Sequence, residues 1–413
     1  MLKFARIGSL RMAIKQFQLL FKAALVVIAT IVTSSCQSDT EADLAIINSK
    51  LYVGPNKPVI ENATIIIKNG KISEIEAGVR PENIDVIDAG GRVVTSGLWN
   101  SHIHLLNPEL ATNPEPILRE MLLKYGFTSV VDTGSEISIT KPLSEKINNG
   151  EILGPRIIIA GGSIVPRDGV PFYLSELELP QVNIPEAAFP TVKAFFDQGV
   201  DGIKIYSGSV QPGDTILMKP EIIKSISLAT HQLGGFVISH PHDLNGLINA
   251  VENGVDILAH TAPIAGPFGG ELLDLMLENK TALIPTLALW SWELKRFDVP
   301  AEEITRQEDM SVLQLNEYAK AGGEILFGTD IGYMTDYNTA KEYVLMQKAE
   351  LSFDQVLTSL TTDPSKRFSD NSGLVEVGAI ADLVIYASDP TKNFSSFADI
   401  AYTLKDGKVI YGK

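Results

Sequence analysis

Through the middle of this chain, apolar runs of strand length alternate with longer stretches of helical periodicity. Strand-type runs occupy 97–104, 127–132, 156–161, 201–206, 235–240, 255–260, 281–287 and 324–330. Between them, 186–198, 220–233, 243–253 and 305–321 space their apolar residues along one helical face. Alternation of this kind predicts parallel β/α units, and eight strands is the number that closes a (β/α)8 barrel. Asn253-Gly254 and Ala321-Gly322-Gly323 supply helix stops before the next strand. The polar, Pro-containing loop 162–185 is long enough to cover the barrel mouth and shape a pocket.

Both ends carry a different pattern. Short alternating runs at 44–47, 64–68, 71–75 and 85–88 include Asn69-Gly70, a strong hairpin signal. The C-terminus mirrors them at 381–386 and 400–404, and Asp406-Gly407 turns the chain into 408–411. Two β-rich ends around a long middle predict an α/β fold, a TIM-like barrel with one small β-sandwich formed by both termini. The expected segments are a leader 1–36, the first part of the sandwich 37–95, the barrel 96–365 and the rest of the sandwich 366–413.

Of the 413 residues, 45% are hydrophobic and 20% charged, enough for one large core and a smaller second one. Residues 1–35 carry five basic residues and no acidic ones, so their removal takes the net charge from −16 to −21. Such a surface argues against nucleic acid or an anionic lipid face as partner. The basic start, the apolar stretch Ala23–Val32 and the small residues before Cys36 read as an export segment too short to span a bilayer. Cys36 is the sole cysteine, so no internal disulfide can form, and its position resembles the lipidated residue of a bacterial lipoprotein. Thr33 departs from the usual aliphatic residue at that site. The expectation is an exported bacterial lipoprotein, periplasmic or on the cell surface, touching the membrane through its lipid anchor only.

Candidate chemistry gathers at the C-terminal ends of the strand runs, the edge on which such barrels build active sites. His102 and His104 are two apart on one strand and so face the same side. His240, His260, Lys204 and Asp330 each end, or nearly end, an apolar run. Neutral imidazoles and carboxylates suit two divalent ions, with Zn the default on ligand type. His102, His104 and Asp330 could bind one ion and His240 and His260 a second. A protonated Lys204 would repel both; as an N-carboxylated lysine it becomes a bridging anion. Water shared by two such ions is acidified toward hydroxide, and Asp330 stands where a proton acceptor is needed. His242 is open between a substrate contact, a support for a ligand and a loop residue; with Tyr206 it is a candidate substrate contact. His231 lies in a helical stretch away from any strand end and reads as structural.

These residues, with Gly97–His104, Gly126–Asp132, Gly154-Pro155-Arg156, Gly328-Thr329-Asp330, Gly378–Ile385 and Asp406–Lys408, resemble the amidohydrolase superfamily. The likeness runs from residue 44 to the end and points to the branch of imidazolonepropionase-like enzymes and Xaa-Pro dipeptidases. It implies a metal-dependent hydrolase acting on carbon–nitrogen bonds of a small-molecule or dipeptide-like substrate. Lys204 matches the carboxylated lysine of the binuclear members, which points away from imidazolonepropionase itself. A deaminase of an amino-substituted ring and a non-catalytic metal-binding lipoprotein are the alternatives; homo-oligomerisation stays open.

Overall fold

The computed structural model describes residues 43–412, so the leader, Cys36 and the tether after it lie outside the described residues. Strand β1 (Leu44–Tyr52) pairs antiparallel with β2 (Val59–Lys68), which pairs with β3 (Lys71–Ala77). Asn69 and Gly70 take φ of 54° and 72°, the two left-handed positions that a tight hairpin between right-twisted strands demands. On its other edge β1 pairs in parallel with β4 (Val86–Asp88) and β5 (Val93–Ser96).

The barrel strands follow: β6 (Leu98–Ile103), β7 (Phe127–Thr133), β8 (Arg156–Ile164) and β9 (Gly202–Tyr206). After a hairpin of β10 (Gly208–Gln211) and β11 (Asp214–Leu217) come β12 (Phe236–His240), β13 (Ile257–Ala259) and β14 (Ala282–Ile284). These seven barrel strands form a parallel sheet in the order β14-β13-β12-β9-β8-β7-β6. Helices Ala188–Phe196, Pro220–Gln232, Leu244–Glu252 and Ala301–Lys320 fall within about one turn of the stretches predicted for them.

The expected eighth strand is a correction. Residues 324–331 run between β14 and β6 without forming a ladder strand, making only isolated bridges at Ile325 and Ile331. Backbone bonds still join the edges: Leu326 N donates to Leu283 O at 3.0 Å and Ser101 N to Phe327 O at 2.7 Å. At the end of the run Asp330 leaves extended backbone, at φ 64°. The run expected over 281–287 is likewise shorter, since the strand ends at Ile284 and Leu287 opens a helix.

Strands β15 (Leu383–Tyr386), β16 (Ile400–Lys405) and β17 (Lys408–Gly412) return to the first sheet, β15 pairing antiparallel with β5. Both chain ends feed one apolar cluster that includes Ile46, Ile65, Ile67, Val94, Leu383 and Leu404, as the sandwich reading expects. Arg156 ties this unit to the barrel, its guanidinium 3.1 Å from Asp370 and 3.4 Å from Asp382. Inside the barrel, Ala160, Ile238, Ile257, Ala282, Ile284 and Leu326 pack together. Side chains alternate along a strand, so Ile238 points the same way as His240, and this packed layer lies beneath the polar one. Among the described residues no helix is long and apolar enough to cross a membrane.

Candidate active site

His102, on β6, is fully buried, and His104, just past the end of that strand, is partly so. Asp330 meets them from the closing segment: its Oδ1 lies 3.0 Å from His104 Nε2 and 3.6 Å from His102 Nε2. Two glycines permit that approach. A Cβ at Gly328 would sit 2.3 Å from Ile284 Cγ2 and 2.9 Å from His102 Cβ. One at Gly332, where φ is 99°, would lie 1.7 Å from the His104 carbonyl oxygen. Asp330 and His260 both hold left-handed backbone, at φ 64° and 81°. Strain of this sort costs on the order of 1–3 kcal/mol per residue and gathers where side chains must be aimed.

The second half of the set is equally close. His260 lies 4.6 Å from His102 and 4.8 Å from His240, ring centre to ring centre, and its Nδ1 is 3.9 Å from Asp330 Oδ2. Lys204 is 1% exposed, and burial pushes its ammonium down to about 8, with the charge of Asp330 opposing. Burial first, then the Lys204 charge, holds His102 and His240 well below the usual imidazole range. For His260 burial again leads, followed by the charges of His240 and Lys204. Neutral rings are the form that ligates metal.

His260 Nδ1 is 2.7 Å from the hydroxyl of Thr286, a residue at φ 41° just before the helix Leu287–Arg296. That hydroxyl therefore does not cap its own helix. Glu342 caps it instead, accepting from Leu287 N and Ala288 N at 2.8 Å each. Burial raises the Glu342 carboxyl to about 7, against those two backbone bonds. A carboxyl whose folded pKa is raised contributes stability fully present below its unfolded value and lost as pH rises through 7. The stability of wild type minus that of Glu342→Gln should therefore fall between about pH 4.5 and 7, by on the order of 3 kcal/mol. Denaturant titrations of both proteins across that range check it; parallel curves would remove the buried carboxyl as the cause.

Above this floor opens a cavity of about 790 Å³, lined at its base by His104, Lys204, His240, His260 and Asp330. Phe172, Tyr173 and Leu177 from the predicted covering loop line it, as do Tyr206 and His242. Tyr206 packs its ring 5.0 Å from that of His240. His242 is partly buried, and burial lowers its imidazole against the charge of Asp243. His231 lies apart, bonded to Asp256 at 2.8 Å.

The residues fit a metal. Both ring nitrogens of buried His102, and Oδ1 of Asp330, lack any hydrogen-bond partner. A buried polar atom without a partner is costly unless a ligand satisfies it. His102, His104 and Asp330 offer ligand atoms all within 4.8 Å of one another. Sequence reasoning missed Thr286, Glu342, Trp290 and Tyr333. The aromatic run Leu287–Trp292, directly after a barrel strand, was the available signal for Trp290.

Comparison with known proteins agrees with this arrangement. The chain is 23% identical over 389 residues to imidazolonepropionase of Staphylococcus aureus (strain Newman), covering 85% of this chain and 90% of that protein. Among solved structures it is similar to a Xaa-Pro dipeptidase with methionine bound in its active site: 25% identity, 90% of this chain and 100% of the other, TM-score 0.79. A putative prolidase from Bifidobacterium longum shares the fold at 24% identity over 89% of this chain and 94% of that one, TM-score 0.76. The model of the amidohydrolase family matches residues 93–410. The chain therefore belongs to the amidohydrolase family and is a hydrolase of carbon–nitrogen bonds.

Proposed function

We propose that this protein is an exported, lipid-anchored amidohydrolase that cleaves an amide, peptide or cyclic amide bond at a site for two divalent ions. The observation that carries the reading is convergence: six ligand-type side chains from five segments of the chain come together, five of them at the floor of one cavity and His102 buried beside them. His102, His104 and Asp330 would hold one ion, His240 and His260 the other, and N-carboxylated Lys204 would bridge them. Bound divalent ions, Zn by ligand type, supply Lewis acidity toward a carbonyl and toward water. Asp330 accepts the proton that water gives up and passes it to the leaving nitrogen. Tyr206 and His242, which line the cavity, would contact the substrate. Thr286 keeps the His260 ring oriented, as supporting partners of metal-binding histidines do.

Product analysis tests the reaction. A panel of dipeptides, N-acyl amino acids, cyclic amides and amino-substituted rings should yield a new carboxylate and an amine from the best substrate. Free ammonia as the main product of an amino-substituted ring would replace the reading with deamination. Export has its own test: a labelled fatty acid should enter the wild type and not Cys36→Ala. Equal labelling of the two proteins would sink the lipid anchor.

A further inference from the structure

The cavity above the metal site is built on three sides. The helix Leu287–Arg296, with Phe297 after it, turns Leu289, Trp290, Glu293, Leu294 and Phe297 into the space, the spacing of one helical face. Facing it, the turn Phe172–Leu174 packs Phe172 against Phe297 with ring centres 5.3 Å apart, and Tyr173 against Tyr333 at 5.9 Å. The hairpin β10–β11 adds Val210 and Leu217.

Charge on these walls is one-sided, and all of the carboxylates but Asp330 at the floor are already engaged. Four carboxylates line the cavity, Asp214, Asp243, Glu293 and Asp330, while among the described residues Lys204 at the floor is its one lysine and no arginine lines it. Asp243 caps the helix Leu244–Glu252 through Gly246 N at 2.8 Å, and Asp214 accepts from Thr215 N at 2.7 Å. Glu293 accepts from Tyr333 Oη at 2.7 Å with one oxygen and from Arg296 Nη1 at 3.1 Å with the other. Arg296 itself lies over the rings of Trp292 and Tyr333, 4.6 Å and 5.5 Å from their centres. Away from the floor, a substrate carboxylate against these walls would lose water and meet no lysine or arginine among the described residues, while a substrate cation would find Glu293 already paired. Burial of an unpaired charge is costly, whereas apolar area entering this aromatic space is favourable.

We infer that the substrate is an uncharged amide bearing an aromatic or branched alkyl group and no free carboxylate. The inference rests on the hydrolase reading for the reacting bond only; the apolar, cation-free walls stand independently of it. The test is binding rather than turnover. Full-length protein, as purified with its metals, is titrated calorimetrically with N-acetyl-phenylalanine amide and with N-acetyl-phenylalanine, which differ in charge and little in shape. The neutral compound should bind at least about tenfold more tightly, a difference of about 1.4 kcal/mol. Equal or tighter binding of the carboxylate, or binding of neither compound, overturns the inference. Leu294→Lys, which places a cation on the wall, should narrow that preference by up to about fivefold, the size of one partly exposed ion pair of about 1 kcal/mol. An unchanged preference would show that this face does not meet the ligand and would also overturn it. Binding is read apart from turnover, so cleavage of the amide, or its absence, bears on which bond the enzyme cleaves and leaves the substrate class standing.

Discussion

Asp330→Asn should lower kcat by roughly 10²–10⁴, the worth of a positioned general base. Asn keeps the size and shape of the side chain but cannot accept a proton. The expectation is local because Asp330 sits among His102, His104 and His260, with its nearer oxygen unpaired. The other carboxylates of the cavity wall are occupied, Asp243 by a helix start and Glu293 by Tyr333 and Arg296. Metal content measured on the same samples separates loss of an ion from loss of the proton acceptor. A fully loaded Asp330→Asn protein that turns over the best substrate at the wild-type rate would remove Asp330 from the chemistry.

Lys204→Ala should lose most activity and weaken the second ion. A buried ammonium held down to about 8 releases its proton far more readily than a surface lysine, and the neutral amine is the form that takes up CO2. On the two-ion reading proposed above, truncation would remove the bridging anion and leave two cations facing one another. Added acetate or propionate, small enough for the vacated space, should restore part of the activity. Full activity in Lys204→Ala without added carboxylate would end the carbamate role and leave a single-ion site.

Much of this was legible because the signals are local. His102 and His104 need only strand alternation to share a side, and Asn69-Gly70 and Asp406-Gly407 dictate their hairpins through left-handed turn positions. Asp330 could be found at the end of an apolar run even though that run forms no ladder. What stayed hidden depends on distant closure. Glu342 caps a helix that begins 55 residues earlier, and no periodicity in either segment announces the bond. Residues 281–287 read as one strand because a short apolar run cannot be told from a strand followed by a buried helical turn. The motifs Gly154-Pro155-Arg156 and Ala381-Asp382 belong to the family likeness, yet here they fasten barrel to sheet through Arg156 and Asp382.

The segment that closes the barrel has a thermodynamic consequence. Residues 324–331 are held by scattered backbone bonds rather than a ladder, and Asp330 stands at their end. Opening this seam would carry Asp330 away from His102 and His104, so whatever those three hold together also holds the wall shut. For an ion held there, release and local opening would be one linked equilibrium: the ion would stabilise the closed barrel by mass action, and a loosened seam would raise its escape rate. An ion held by those three residues would make the one ladderless stave among the described residues the latch of the barrel.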